Sequence, residues 1–236
     1  MLQVEAVPKT TRVKRHSRPR VIVAAAPKGG VGKTTLSMSI LVSARRAGLS
    51  VLGINMDEQL GLERWFTRRT KAIEENTAIS IPDIPICKMG LGEWRTIPTL
   101  VDYDIVMIDT PPGHGESLHA IRSLCSIADL VLIPTSPSGH DLDEIAPFGS
   151  KIAPGKSVFV LNKVNRRTRS FSTAQKVLIK YGALCPIELP QLESVSTQFM
   201  RGLAITDFEE AGYDSFDGLW HFVRRQVGLP QDEDRD

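Results

Sequence analysis

The sequence predicts a single doubly wound α/β domain: a mostly parallel sheet with helices on both faces. Three observations point there. Apolar runs of strand length recur along the chain, among them Val21 to Ala26, Ile105 to Ile108, Leu130 to Ile133 and Val158 to Leu161. Runs that are apolar at successive positions suit parallel strands covered on both faces. Segments with helical spacing separate them, and these are the crossovers that parallel neighbours need. The runs also end in polar or turn residues, Asp57, Asp109, Pro134 and Asn162. Ligands of open α/β sheets bind at those carboxyl ends.

The elements follow in order. Arg20 to Ala26 reads as a buried strand and Thr34 to Ala47 as a helix, with Leu36, Ile40, Leu41 and Ala44 on one side and Gly48 as its stop. Ser50 to Met56 reads as the second strand. Glu58 to Glu75 looks helical and is basic in its middle. Pro82 and Pro85 make the segment from Ile79 irregular, leading to a short strand near Ile86 and Cys87. Pro98 limits any helix over Glu93 to Leu100. A strand to Asp109, a helix over Ser117 to Ala128, a strand to Pro134 and a helix over Asp141 to Ile152 come next, the last containing Pro147. After the strand ending at Asn162, Asn165 to Ser170 reads as a basic loop. Thr173 to Tyr181 reads as a helix, Cys185 to Leu189 as a short strand, and Glu193 to Arg201 and Phe216 to Val227 as helices.

A chain of 236 residues can bury a full core as one domain. It has no apolar run of about 18 residues, so no membrane span is expected. The basic N-terminus lacks the apolar region of a secretory signal. Cys87, Cys125 and Cys185 are scattered and lack metal spacing, which fits small buried hydrophobes in a reducing cytoplasm. The net charge of +2 hides an asymmetry. Residues 1–20 hold six basic side chains against Glu5, a surplus of +5 that leaves −3 over the rest. Residues 1–19 therefore read as a disordered basic tail, 20–228 as the domain, and 229–236 as an acidic tail.

The most informative stretch is Lys28-Gly29-Gly30-Val31-Gly32-Lys33-Thr34-Thr35, set between the first strand and the first helix. Its glycines let successive N–H groups turn toward an anion. The helix start adds its positive dipole end. Lys33 is placed for β- and γ-phosphates, and the Thr34 hydroxyl for Mg²⁺. Asp109 at a strand end suits the cation, and Asp57 suits positioning or deprotonating a water. Pro27 stands where the standard phosphate loop begins with glycine, and Lys28 is a second lysine.

These residues resemble the deviant Walker A ATPases of the ParA/MinD family, closest to the ParA-type partition ATPases. Asn55-Met56-Asp57-Glu58-Gln59 sits where that family has Asp-x-Asp-Pro-Gln, and Asp109-Thr110-Pro111-Pro112-Gly113 is similar to its Walker B and switch segment. The resemblance implies the P-loop NTPase fold and a slow, partner-stimulated hydrolysis of ATP with Mg²⁺. Gly29, Gly30, Val31, Gly32, Lys33, Thr34 and Thr35 would hold the phosphates, Thr34 and Asp109 the metal, and Asn162 the adenine. Asp57 would act on the water. Lys28 would cross to the nucleotide of a second subunit, so that ATP lies sandwiched in a homodimer. Asn55 and Glu58 depart from the family segment, removing one charge and adding another.

The resemblance further implies an ATP-dependent dimer on non-specific DNA, nucleoid-associated in the cytoplasm. A ParB-like or cargo adaptor protein would release it. Arg166, Arg167 and Arg169 are the candidate DNA contacts, with Arg201, Arg224 and Arg225 as further basic positions. The cargo would be a plasmid or chromosome, or alternatively a protein complex. A MinD-like membrane cycle would need the Phe216 to Val227 stripe free for lipid, and the acidic chain end opposes that.

Overall fold

The computed structural model describes residues 18–75 and 80–230, the side chain of His140 excepted. Most of the expected basic tail, the start of the irregular segment at Ile79, and the acidic stretch 231–236 lie outside the described residues.

The strands are β1 (Arg20–Ala24), β2 (Val51–Asn55), β3 (Ile86–Lys88), β4 (Ile105–Asp109), β5 (Leu130–Thr135), β6 (Ser157–Leu161) and β7 (Ala183–Leu184). The helices are α1 (Lys33–Arg46), α2 (Gly61–Glu75), α3 (Glu116–Ile127), α4 (Gly139–Ile152), α5 (Arg169–Leu178), α6 (Glu193–Met200) and α7 (Tyr213–Gln226). One sheet runs β3-β2-β4-β1-β5-β6-β7, and every described pairing is parallel. The chain winds outward from β1 to β3, returns to β4 beside β1, and then winds the other way through β5 to β7. The loop after β1 therefore opens at the crevice where the winding reverses.

Alternation along the strands separates two cores. Ile22, Ala24, Val51, Ile105 and Met107 pack against α1, α2 and α7. Val21, Val23, Ile54, Val106 and Ile108 pack against α3, α4 and α5. Cys185 belongs to the first core and Cys125 to the second. Burial pushes the Cys125 thiol up to about 12 and the Cys185 thiol up to about 11, as inert hydrophobes should behave.

Several expectations shift. The last strand lies over Ala183 and Leu184, earlier than Cys185 to Leu189. Cys185 N still donates to Phe159 O and Leu189 N to Leu161 O, but four residues here span two on β6, so the register breaks between the two bonds. Helix α4 reaches Ile152 as expected, and Pro147 does not break it, because Ile145, Ala146, Phe148 and Ile152 hold both sides of it in the core. Helix α5 begins at Arg169, so this residue sits on a helix rather than in a loop. The segment Leu91–Thr99 is a 3₁₀ helix that includes Pro98.

Unforeseen in sequence is a buried ion pair. Arg69 of α2 and Asp207, in a short 3₁₀ turn (Ile205–Asp207), are both fully buried side chains and pair twice, each bond 2.8 Å. Arg18 and Pro19, of the expected tail, are described residues. Arg18 pairs with Asp129 at 2.7 and 2.8 Å, just before β1. Leu229 is buried past α7.

Candidate nucleotide site

The loop joining β1 to α1 is built to receive an anion. Gly32 is the N-cap of α1 with φ 108°, no side chain caps the helix, and no acid lies in its first turn. The first-turn N–H groups and the positive dipole end are thus not claimed by a side-chain cap. Gly30 also has positive φ, 74°. Lys33 is buried, and its ammonium donates to Lys28 O at 3.1 Å. Burial lowers its hold on the proton, against the attraction of Asp109 and Asp57. Phosphate beside it would reverse that balance.

Thr34 and Asp109 meet directly, Thr34 Oγ1 donating to Asp109 Oδ2 at 2.6 Å. Asp109 is fully buried, and burial raises its carboxyl to about 7, against the Thr34 hydrogen bond and Lys33. Its Oδ1 is buried without a partner. A hydroxyl and a carboxylate in contact, with one buried oxygen unsatisfied, fit a hard divalent cation such as Mg²⁺. Asp57 follows β2 at the head of a turn. Its Oδ1 accepts from Gln59 N at 2.9 Å and its carbonyl from Leu60 N at 3.0 Å.

The structure places Asn162 against the phosphate loop itself. Its Nδ2 donates to Val31 O at 2.8 Å. A Cβ at Gly32 would lie 2.0 Å from that nitrogen, so the contact requires glycine there. Sequence reading missed the next residue, Lys163. With φ 56° it turns back, and its ammonium donates to Gly30 O at 2.8 Å. No local pattern announces that bond; the strand end merely brings it into reach. A cleft of about 770 Å³ opens at this same end, lined by Asn165, Arg167, Glu188, Pro190 and neighbours.

The segment after β4 braces the loop from the other side. Thr110 Oγ1 donates to Ala24 O at 2.9 Å, and Gly113 N to Ala26 O at 2.8 Å. His114 Nδ1 lies 3.1 Å from Pro27 O.

Lys28 is engaged within its own chain. Its ammonium is 3.2 Å from Asp141 and 3.6 Å from Glu144, both on α4. Desolvation acts to lower its pKa, but Asp141 and Glu144 outweigh this and raise it. Ser136 Oγ donates to the other oxygen of Asp141. Gly29 and Gly30 are exposed, and a Cβ at either would meet nothing within 4 Å.

The arginine candidates separate. Arg166 is exposed and pairs with Glu188 at 2.5 Å. Arg167, Arg169, Arg201 and Arg225 are exposed, whereas Arg224 is fully buried and offers no surface to DNA. The apolar stripe of α7, with Phe216, Leu219, Trp220, Val223 and Val227, is buried in the core. Among the described residues no helix is long and apolar enough to cross a membrane.

Comparison with known proteins places this geometry. The nucleotide-binding domain model of the CobQ/CobB/MinD/ParA family matches residues 22–205. The maintenance of carboxysome distribution protein A of Gloeobacter kilaueensis is 31% identical over 133 residues, which span 53% of this chain and 53% of that protein. The MinD chain of the Aquifex aeolicus MinC:MinD cell division complex shares the fold with a TM-score of 0.69 at 18% identity, over 90% of this chain and 97% of that one. A protein assigned to plasmid partition in Borrelia burgdorferi B31, bound to AMPPNP, does so with a TM-score of 0.67 at 17% identity, over 88% and 100%. The family model covers well over half of the chain: the chain belongs to the CobQ/CobB/MinD/ParA nucleotide-binding family.

Proposed function

We propose that this protein is a ParA-like ATPase that dimerises on ATP, binds DNA without sequence preference and positions a cargo. Lys33 and the first-turn N–H groups of α1 hold the phosphates. Thr34 and Asp109 would hold Mg²⁺, which would supply positive charge at the phosphates. Asp57 orients the attacking water. Asn162 fixes the loop and borders the base.

The observation that carries the reading is the exposed signature loop. Gly29 has open space where a side chain would be, so nothing within the chain requires glycine there. A second subunit approaching closely does require it. Lys28 of the partner subunit would then leave Asp141 and Glu144 for the phosphates, adding positive charge as hydrolysis proceeds.

The DNA reading is supported by one surface. From Arg166 to Ile187 the chain contains no acid. Arg167, Arg169, Lys176 and Lys180 are exposed there, Arg169 and Lys176 seven residues apart on α5 and Lys180 just past its end. Such a face suits phosphate contact, which is salt-dependent and blind to sequence. The similarity to the carboxysome distribution protein favours a protein cargo over a plasmid. The burial of the α7 stripe speaks against a lipid-bound helix.

The test is DNA binding with ATP, ADP or no nucleotide across a salt series. Binding that requires ATP and falls steeply with salt is expected. Joint substitution of Arg167, Arg169 and Lys176 by alanine should flatten the salt slope by about 3, one per phosphate contact. Equal binding without nucleotide, or an unchanged slope, would refute this reading.

A further inference from the structure

Two buried oxygens at neighbouring strand ends are unsatisfied. Asn55 closes β2, is fully buried, and is the register partner of Asp109, which closes β4. Register partners on parallel strands project to the same face. Here that face is the one packed against α1, which carries Thr34. Asp109 Oδ1 and Asn55 Oδ1 each lack a partner. Buried polar oxygens seldom remain so, and an apolar core would not select them.

The amide orientation of Asn55 is set by two acceptors. Nδ2 donates to Asp57 O at 2.9 Å and reaches Glu63 Oε1 at 3.3 Å. Reversing the amide would set its oxygen against a carbonyl and a carboxylate. Oδ1 is therefore directed away from both. Glu63 lies in the first turn of α2, and α2 itself abuts the site: a Cβ at Gly61 would lie 3.1 Å from Thr34 Oγ1.

We propose that Asn55 is a positioning residue of the metal site, its carbonyl oxygen accepting a hydrogen bond from water on the bound divalent cation, and that Glu63 holds the amide in the orientation this needs. The inference rests on the assignment of the cation to Thr34 and Asp109. It gives the departure at position 55 a physical sense. A carboxylate there would face Asp57 O and the Glu63 carboxylate with no proton between them. The acidic charge resides on Glu63 instead, and the amide links it to both the Asp57 turn and the cation.

The probe is Mn²⁺ with ADP, free Mn²⁺ being read by electron paramagnetic resonance, so that no turnover is needed. Glu63→Ala is expected to weaken Mn²⁺ binding about tenfold, the low end for loss of an outer partner, while ADP affinity in EDTA is unchanged. Asn55→Asp should lose more. Adding Glu63→Gln to Asn55→Asp exchanges acid and amide, restores a donor between the two positions, and should recover most of the loss. Thermal unfolding in EDTA reports whether each variant folds, and Glu63→Ala, on a half-exposed position, keeps the test available if Asn55→Asp does not. Mn²⁺ affinity within twofold of the native value in Glu63→Ala overturns the proposal, as does a double variant no better than Asn55→Asp alone. Failure of the native protein to hold Mn²⁺ with ADP is a separate result and removes the metal assignment itself.

Discussion

Two of the buried polar clusters among the described residues lie equally deep and differ in one respect. At the junction of α2 with the turn before α7, Arg69 and Asp207 satisfy each other completely. Arg69 Nε donates to Pro82 O at 2.9 Å, Nη1 to Gly202 O at 3.2 Å, and Asp207 Oδ2 also accepts from Ala204 N at 2.7 Å. The guanidinium lies 5.0 Å from the Trp65 ring centroid. At the nucleotide site, Asp109 and Asn55 each keep a buried oxygen without a partner. The first group is complete within the chain. The second leaves an acceptor on each side chain unsatisfied by the chain. Satisfaction, rather than burial or charge, separates the structural cluster from the functional one.

The largest expected effect breaks the closed group. Asp207→Ala would leave the Arg69 guanidinium buried without its counter-charge, which costs about 3–5 kcal/mol. Denaturant titration should show the loss with or without ADP and Mg²⁺, because no ligand replaces the carboxylate. A loss below about 1 kcal/mol, the range of surface pairs, would mean that Arg69 escapes to solvent and that the two groups are alike.

The open group should respond with the opposite sign. The Asp109 carboxyl is raised in the folded chain from 3.8 to about 7, chiefly by burial. The folded state thus keeps the proton where the unfolded state has lost it. In EDTA, stability should fall as pH rises from about 4 to about 7 and then level off. Asp109→Asn removes that cost and should stabilise the metal-free protein at pH 8 by up to about 4 kcal/mol, at roughly 1.4 kcal/mol per pKa unit. At pH 4 the gain should vanish, and at pH 8 Mg²⁺ with ADP should no longer stabilise the variant as it does the native chain. Melting curves in EDTA at the two pH values check this. A variant less stable than the native chain at pH 8 would show that the unpartnered oxygen is already satisfied without metal.

The open group was legible in sequence and the closed one was not, for a physical reason. A phosphate site needs glycines, a lysine and a hydroxyl within eight consecutive residues, so Lys28 to Thr35 spells it locally. Asp109 stands out as a charge ending an apolar run. Arg69 and Asp207 are 138 residues apart and each resembles a surface residue in its own neighbourhood. Arg224 reads as basic surface for the same reason, yet it is buried. The fold was readable from alternation alone. Its errors fall at boundaries, as at Arg169, which opens α5 rather than lying in a loop, and at the last strand, which lies over Ala183 and Leu184. Lys163 was invisible because it acts on a residue brought near only by the sheet, and Glu63 because it meets Asn55 only once α2 turns back over the end of β2.

A third pair, between these extremes, should show the smallest effect and tests whether exposure grades the comparison. The Arg18 side chain is 42% exposed and that of Asp129 12%, and Val21 N also donates to Asp129 at 2.8 Å. Burial alone would raise the Asp129 carboxyl; the hydrogen bonds from Arg18 and Val21 outweigh it and hold the group below its ordinary value of 3.8. A depressed carboxyl contributes stability above its unfolded pKa and loses it as pH falls through the folded one. Arg18→Ala should therefore cost about 1 kcal/mol or less at pH 7, as solvent-screened pairs do. Much of that loss should be removed in 1 M salt, where the screening length is about 3 Å. In acid, once the pH has fallen through the depressed folded value of this carboxyl, native and variant chains should converge in urea titrations. Val21 N keeps Asp129 tied to the strand edge in both, so the sheet should stay intact and the difference should report the ion pair alone. A loss of equal size at both pH values would instead assign the contact to the packing of the Arg18 stem against the start of the central strands, placing this pair with the closed group in kind and below it only in degree.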